Sequence, residues 1–334
     1  YKRQALALGQ DGPAPNPPVQ PPEFSGGADY LLNAVPPQGA PGAEWTYHKS
    51  PNGNQPDGRE QRMLWFMNRA RANPTAEGVW LANTGDGHVI SAIRFFGVDT
   101  SAMQAAFAAI PAKPPAAFDI RLHNASRDHS LDLIERDAQD HSGQFPKIYA
   151  SGFSCNGGRA SVFSYTRSPI HGHAGLNIDW GYGPDGMQDP PGHRDAIMGV
   201  WPYNGPGLTN VGLALVDEND NQTSVGPIVF SGAYCGAGGA DHNRFIVGTV
   251  WDDLNGDGEY DVGEGLGGVT VTPDHGTYYA VTGNAGGYSI PIEAAGNYTV
   301  TFSGGDLGAQ TVERAVAVAD ASVLVLSLIH ISEP

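Results

Sequence analysis

Residues Asp253 to Glu264 read Asp-Leu-Asn-Gly-Asp-Gly-Glu-Tyr-Asp-Val-Gly-Glu, between Phe245-Ile-Val-Gly-Thr-Val-Trp251 and Leu266-Gly-Gly-Val-Thr-Val-Thr272. Oxygen-bearing side chains fall at positions 1, 3, 5, 9 and 12 of the twelve, with glycine at position 6. That is the spacing of a calcium loop, in which a hard cation gathers six to eight oxygens from a tightly turned segment. On this reading Asp253, Asn255 and Asp257 supply side-chain oxygens and Glu259 its backbone carbonyl. Asp261 contributes directly or through water, Glu264 closes the set with both oxygens, and Gly258 permits the turn. Five carboxylates so close together repel one another unless a cation lies among them. Helices normally flank such a loop. Here both flanks are short and rich in β-branched residues, so the expectation is an ion that staples a β unit.

Short strand-like runs recur beyond this point, at Thr277–Val281, Gly287–Pro291, Tyr298–Phe302 and Gln310–Val316, with the turn cluster Asn284-Ala-Gly-Gly between them. Their even spacing predicts an all-β, immunoglobulin-like sandwich over residues 244–325.

Upstream the pattern is helical. Met63, Met67 and Ala70 recur at helical intervals in a helix predicted over Arg59–Ala72, which Asn73-Pro74 ends. Leu122, Ala125, His129 and Leu133 form the apolar stripe of a longer helix over Asp119–Gln139. An Ala-rich stretch over Asn83–Ala109 is helical, and Ala174–Trp180 reads as a further turn. Pro190-Pro-Gly-His-Arg-Asp-Ala-Ile-Met198 has a helix start with prolines at its mouth. Ile148–Tyr165 is rich in Gly and Ser and reads as a loop with one short apolar piece. Val211–Val216 and Pro227–Tyr234 read as strands. The fold class expected is therefore α+β, with a mixed unit over 58–236, a Gly-rich linker over 237–243 and the β unit after it. Residues 1–57, with Pro-Ala-Pro-Asn-Pro-Pro and Gln-Pro-Pro, read as a Pro/Gly-rich and mostly disordered linker. Residues 326–334 resemble an in-frame translation of a sequencing adapter, and no function is assigned to His330 or Glu333.

The 334 residues suffice for two domains with cores of their own. With 35 acidic against 18 basic residues the formal charge is -17, which argues against a nucleic-acid partner. High Gly and Pro with only 16% charged residues suit an extracellular type of chain. No apolar run reaches the eighteen residues a membrane-spanning helix needs. The two cysteines, Cys155 and Cys235, are compatible with one disulfide or with two free thiols. The chain starts at Tyr1, and no signal peptide is visible in it.

His123, His129, His141, His171, His173 and His193 crowd the middle third. His129 lies on the apolar stripe and reads as a core residue. His141, in Asp140-His-Ser-Gly143, and His193, in Pro190-Pro-Gly-His-Arg194, stand in loop contexts where two imidazoles and a carboxylate could hold Zn²⁺ or another divalent ion. Around these residues the chain resembles the CAP superfamily (the SCP domain of cysteine-rich secretory proteins, antigen 5 and PR-1). The matching pieces, in family order, are Glu60–Pro74, Leu122–Ser130, Asp140–Gly143, Gly192–Met198 and Asn210-Val-Gly-Leu-Ala214. The resemblance implies an α-β-α sandwich whose cleft holds two histidines, matched by His141 and His193, and two acidic positions. The glutamate of the family's Gly-Glu-Asn segment is absent from Gly157–Phe163. Asp179 and His173 are the nearby candidates for the other acidic position. The C-terminal part resembles the calcium-binding B-type repeats of Sdr-type bacterial surface adhesins, through Val247–Gly258, Gly267–Val271 and Gly286-Gly-Tyr-Ser289. Those modules are rigid extracellular spacers.

Together these resemblances imply a secreted or surface-attached bacterial protein. It would carry a binding or effector head on a Ca²⁺-stabilised stalk, with an extracellular lipid, glycan or protein as its ligand. One alternative is an extracellular peptidase or esterase using the His141/His193 cleft, with Ser142, Ser161 or Cys155 as nucleophile. No Gly-x-Ser-x-Gly elbow is present, so the sequence leans to a non-enzymatic head with no catalytic residue assigned. The other alternative is lipid or sterol binding against a wall of Phe95, Phe96 and Phe107.

Overall fold

Asp57 starts the first helix, α1 (Gly58–Ala72). Its carboxylate accepts the N–H groups of Arg59 and Glu60, and Glu60 accepts the N–H of Asp57 in return. Asn73 ends α1 and caps α2 (Pro74–Asn83), whose first residue is the proline that a helix tolerates there. The structure is a computed structural model that describes residues 39–200, 207–218 and 226–325, with Ser327 and Leu328. The expectations for residues 1–38 lie outside the described residues. The helical stretch expected over 83–109 is two helices, α3 (Gly87–Phe96) and α4 (Thr100–Ala108). Gly97, at φ 67°, turns the chain between them, and Asp99 caps the second.

The long helix α5 (Ile120–Arg136) lies on a four-stranded sheet of order β2-β4-β5-β3. Here β2 is Ala117–Phe118, β3 Cys155–Thr166, β4 Asn210–Asp217 and β5 Ile228–Ala237. Alternation sorts the two faces. Val211, Leu213, Leu215, Phe230 and Tyr234 join Met63, Met67, Leu81, Phe107 and Trp180 in the main core on one side. Ala233, Cys235 and Ala237 face Leu122, Ala125 and Ile148 on the other. Helix and sheet touch closely at Gly212, where an added Cβ would run into the backbone of Leu122 and His123. Ser126 donates to the Gly212 carbonyl at 2.9 Å on the same seam. Helices thus cover both faces of this sheet.

Two expectations change here. The stretch expected as a loop, Ile148–Tyr165, holds the end of α6 (Gln144–Ala150) and all but the last residue of β3, which is twelve residues long. Small residues in β3 hid the strand and serve its packing: Gly158 sits against Tyr234 and both cysteine sulfurs. The cysteine question resolves to a disulfide, Cys155–Cys235, joining β3 to β5. The expected turn near Ala174 is α7 (Pro169–Ala174) followed by a π-type turn over Gly175–Asp179, and α8 is Gly192–Ile197.

The C-terminal unit has two sheets. In one, β6 (Phe245–Trp251) pairs antiparallel with β9 (Gly287–Pro291) and parallel with β12 (Val323–Leu324) and β13 (Ser327–Leu328). The other runs β1-β8-β7-β10-β11, with β1 Ala43–Glu44, β7 Thr270–Pro273, β8 Tyr278–Val281, β10 Gly296–Ser303 and β11 Thr311–Val318. Ile246, Val250 and Ile290 of the first sheet share a core with Val271, Val300, Phe302 and Val316 of the second. The whole is α+β, with eight α-helices and three sheets among the described residues. No helix among them is long and apolar enough to cross a membrane.

The linker expected through residue 57 carries structure from Gly39 onward. Strand β1 adds parallel to β8, and Trp45 packs with Ala117, Phe245 and Val247, where it joins both units. His48 and Lys49 both bond the Val281 carbonyl at 2.8 Å. An aromatic side chain within a Pro- and Gly-rich context supplied the burial that composition alone does not predict. On the far side of the junction, Gln61 of α1 donates to Thr249 of β6 at 2.8 Å. Trp65 and Phe66 cluster there with Trp251 and Tyr260.

Candidate functional site

The acidic loop leaves β6 at Asp252 and closes at Glu264, whose carbonyl accepts the Asp252 N–H at 3.0 Å. Glycines at φ 76° (Gly256), 77° (Gly258) and 104° (Gly263) let it coil, and these angles favour residues without Cβ. Asp253, Asp257 and Glu264 turn carboxylate oxygens to backbone N–H groups of the loop. Asp253 accepts N–H groups from Gly256, Asp257 and Gly258. Glu264, 4% exposed, accepts from Leu254 at 3.0 Å and Asp261 at 2.7 Å. Asn255 turns its amide to Asp257 and Asp261. These are five of the six residues that the sequence singled out, and the sixth, Glu259, donates its N–H to Asp257 at 2.8 Å.

The cations near the loop are unevenly shared. Arg62 pairs with Asp261, and Arg69 pairs with Glu259 at 2.8 Å. Among the described residues no cation pairs with Asp253, Asp257 or Glu264. The carboxylates at positions 1, 5 and 12, which a calcium loop uses as direct side-chain ligands, are thus the ones left to a metal ion. Those with protein partners are position 7, where the ligand is a backbone carbonyl, and position 9, where water commonly intervenes. An all-oxygen donor set of this kind suits a hard cation. As arranged, with these carboxylates turned to N–H groups, no three His, Cys, Asp or Glu side chains among the described residues converge closely enough to hold an ion.

His141 and His193, singled out in the sequence, each have a partner of their own. Asp179 ends the π-type turn at φ 57°, a conformation costly for a residue with Cβ. Its buried carboxylate accepts His193 Nδ1 at 2.8 Å and the His193 N–H at 3.1 Å. Asp179 thereby holds the first turn of α8 and fixes the orientation of the imidazole. Arg194 anchors the same turn through the Asn177 and Ile178 carbonyls, while the buried Arg71 holds the Ile197 carbonyl at the helix end. His141 bonds Gln144 at 2.7 Å, and Gln144 reaches the carbonyls of Ser161 and Gly232 in the sheet. So the structure joins His193 to Asp179 and His141 to Gln144. Sequence reasoning had Asp179 only as a neighbour, and Gln144 carried no signal. His141 and His193 would supply two of the three or more protein donors that a zinc site uses.

The remaining candidates are placed as follows. Cys155 is in the disulfide and is withdrawn as a nucleophile. Ser161 is fully buried and bonded to the Tyr234 hydroxyl at 2.9 Å. The backbone N–H of Ser142 donates to Asp140. Phe107 is wholly within the core, whereas Phe95 is 41% exposed and touches Phe96 edge-on. His129 is buried and bonded to the Asp140 carbonyl, and burial lowers it to about 4. His173 meets the buried Glu77 at 2.8 Å, and Arg69 donates to both oxygens of that carboxylate. Burial pushes Glu77 up, but the bonds and charges of His173 and Arg69 outweigh it and hold the carboxyl below its ordinary value.

Comparison with known proteins finds no matching family model, no matching curated protein and no matching solved structure.

Proposed function

We propose that this chain is an extracellular or surface-attached bacterial protein. A CAP-type α-β-α head binds a lipid, glycan or protein ligand, and an Sdr B-type β sandwich binds Ca²⁺ through Asp253, Asn255, Asp257, Glu259, Asp261 and Glu264. The observation that carries the calcium reading is the division of charge around the loop: protein cations take positions 7 and 9 and leave positions 1, 5 and 12. The Cys155–Cys235 disulfide supports an oxidising compartment. At near-millimolar calcium, a site of matching affinity stabilises the folded state by about 0.5–2 kcal/mol. Thermal melts in calcium and in chelator test this. Chelation lowers the melting temperature by a few degrees, and superimposable melts remove calcium from the account.

One observation favours a second reading. A buried carboxylate on Nδ1 of His193 is half of a general-base arrangement, which an extracellular hydrolase would need. Ser161 is buried with its hydroxyl on Tyr234 and Cys155 is in the disulfide, so no nucleophile is assigned and binding is preferred. Ester and peptide hydrolysis abolished by both His193→Ala and Asp179→Asn would reverse that preference.

A further inference from the structure

We infer that the acidic loop is also a clasp between the two units, so that calcium binding and the docking of the β unit on helix α1 are one linked equilibrium. The inference rests on the calcium reading of Asp253–Glu264. Its basis is the way the outgoing half of the loop lies along α1. Gly58, Arg62, the pair Trp65 and Phe66, and Arg69 recur at intervals of three or four residues along one side of the helix. The loop meets them in reverse order. Val262 covers Gly58, where an added Cβ would come within 2.9 Å of Val262 Cγ1. Asp261 pairs with Arg62. Tyr260, fully buried, joins the cluster of Trp65, Phe66 and Trp251. Glu259 pairs with Arg69 at 2.8 Å.

All four have a partner in the N-terminal unit, and two of them, Glu259 and Asp261, are also proposed ligands. With calcium bound, the Glu259 carbonyl would face the ion while its side chain faces Arg69. Asp261 would be held between the ion's shell and Arg62. An ion that fixes the backbone at these positions fixes the side chains that grip α1, and the grip restricts the backbone in the same way. Linkage then makes the effects reciprocal: whatever docking adds to calcium affinity, calcium adds to docking. The contact extends into the N-terminal core, because Arg69 also binds Glu77 at 2.8 and 2.9 Å, and Glu77 binds His173.

The test is amide hydrogen exchange on the full chain with calcium and with chelator, beside calorimetry with calcium alone. Where calcium binds, exchange in residues 58–72 slows by about tenfold or more together with exchange in the loop. The double variant Arg62→Gln, Glu259→Gln removes both cross-unit ion pairs but spares the ligand carbonyl and the Arg69–Glu77 pair. It is expected to bind calcium and to lose the protection of α1. Calcium binding that protects the loop of the wild-type chain but leaves residues 58–72 unchanged overturns the linkage and leaves the calcium reading standing. Absence of calcium binding overturns both. The wild-type comparison decides the matter even where the variant does not fold.

Discussion

At the scale of single residues, a buried side chain is defined by what surrounds it. Glu264 is nearly enclosed and presents two oxygens at the end of a loop with no cation of its own. Glu264→Gln keeps the shape and removes the charge, so calcium affinity falls by at least about tenfold, read by titration. The buried histidines set a pH dependence. Burial lowers His48, His129 and His171 from 6.5 to about 4 and moves His123 and His242 the same way. Their stabilisation is complete above 6.5 and is lost as pH falls toward 4, because the unfolded chain takes up protons that the folded chain refuses. Burial raises Glu60 from 4.5 to about 8, so its contribution is complete below 4.5 and is lost as pH rises through 8. The five histidines outnumber the carboxyls that burial raises, Glu60, Asp119 and Asp195, so stability falls between pH 6.5 and 4.5. Thermal melts in chelator, which remove any metal contribution, should peak near neutrality. A melting temperature that climbs on acidification to pH 5 would contradict these assignments.

At the scale of elements, much was legible because caps and periodicity are local. The helix expected over 59–72 is α1 with Asp57 as its cap, and the one over 119–139 is α5 with Asp119 as its cap. Phe245–Trp251 and Gly287–Pro291 are strands with the bounds expected. The strand β3 was not legible, since Gly157, Gly158, Ser161 and Ser164 have low strand propensity and are tolerated for packing that only the tertiary fold reveals. The site divides in the same way. The loop's six residues lie within one turn-rich segment and declare themselves by spacing. The bond from Asp179 to His193 depends on a strained turn, and the reach of Arg69 to Glu259 spans 190 residues, for which a single sequence carries no local signal. The disulfide joins elements 80 residues apart, so replacing Cys155 and Cys235 by serine should cost about 2–5 kcal/mol in denaturant unfolding. An unchanged midpoint would show that the sheet holds β3 without it.

At the scale of the whole molecule, the two units are joined along one side of α1 rather than strung on a flexible tether. Trp45 fills the junction at one place, and Gln61, Trp65 and the acidic loop fill it at another. The binding head proposed above would, if held in this way, keep its orientation relative to the β unit. The account turns on whether the loop takes up an ion. Calorimetric titration of the chelator-stripped full chain with calcium measures that directly. The account predicts one site per chain with a dissociation constant on the order of 10⁻⁴–10⁻³ M, lost in Glu264→Gln. The absence of saturable heat in the wild-type chain up to millimolar calcium would contradict it.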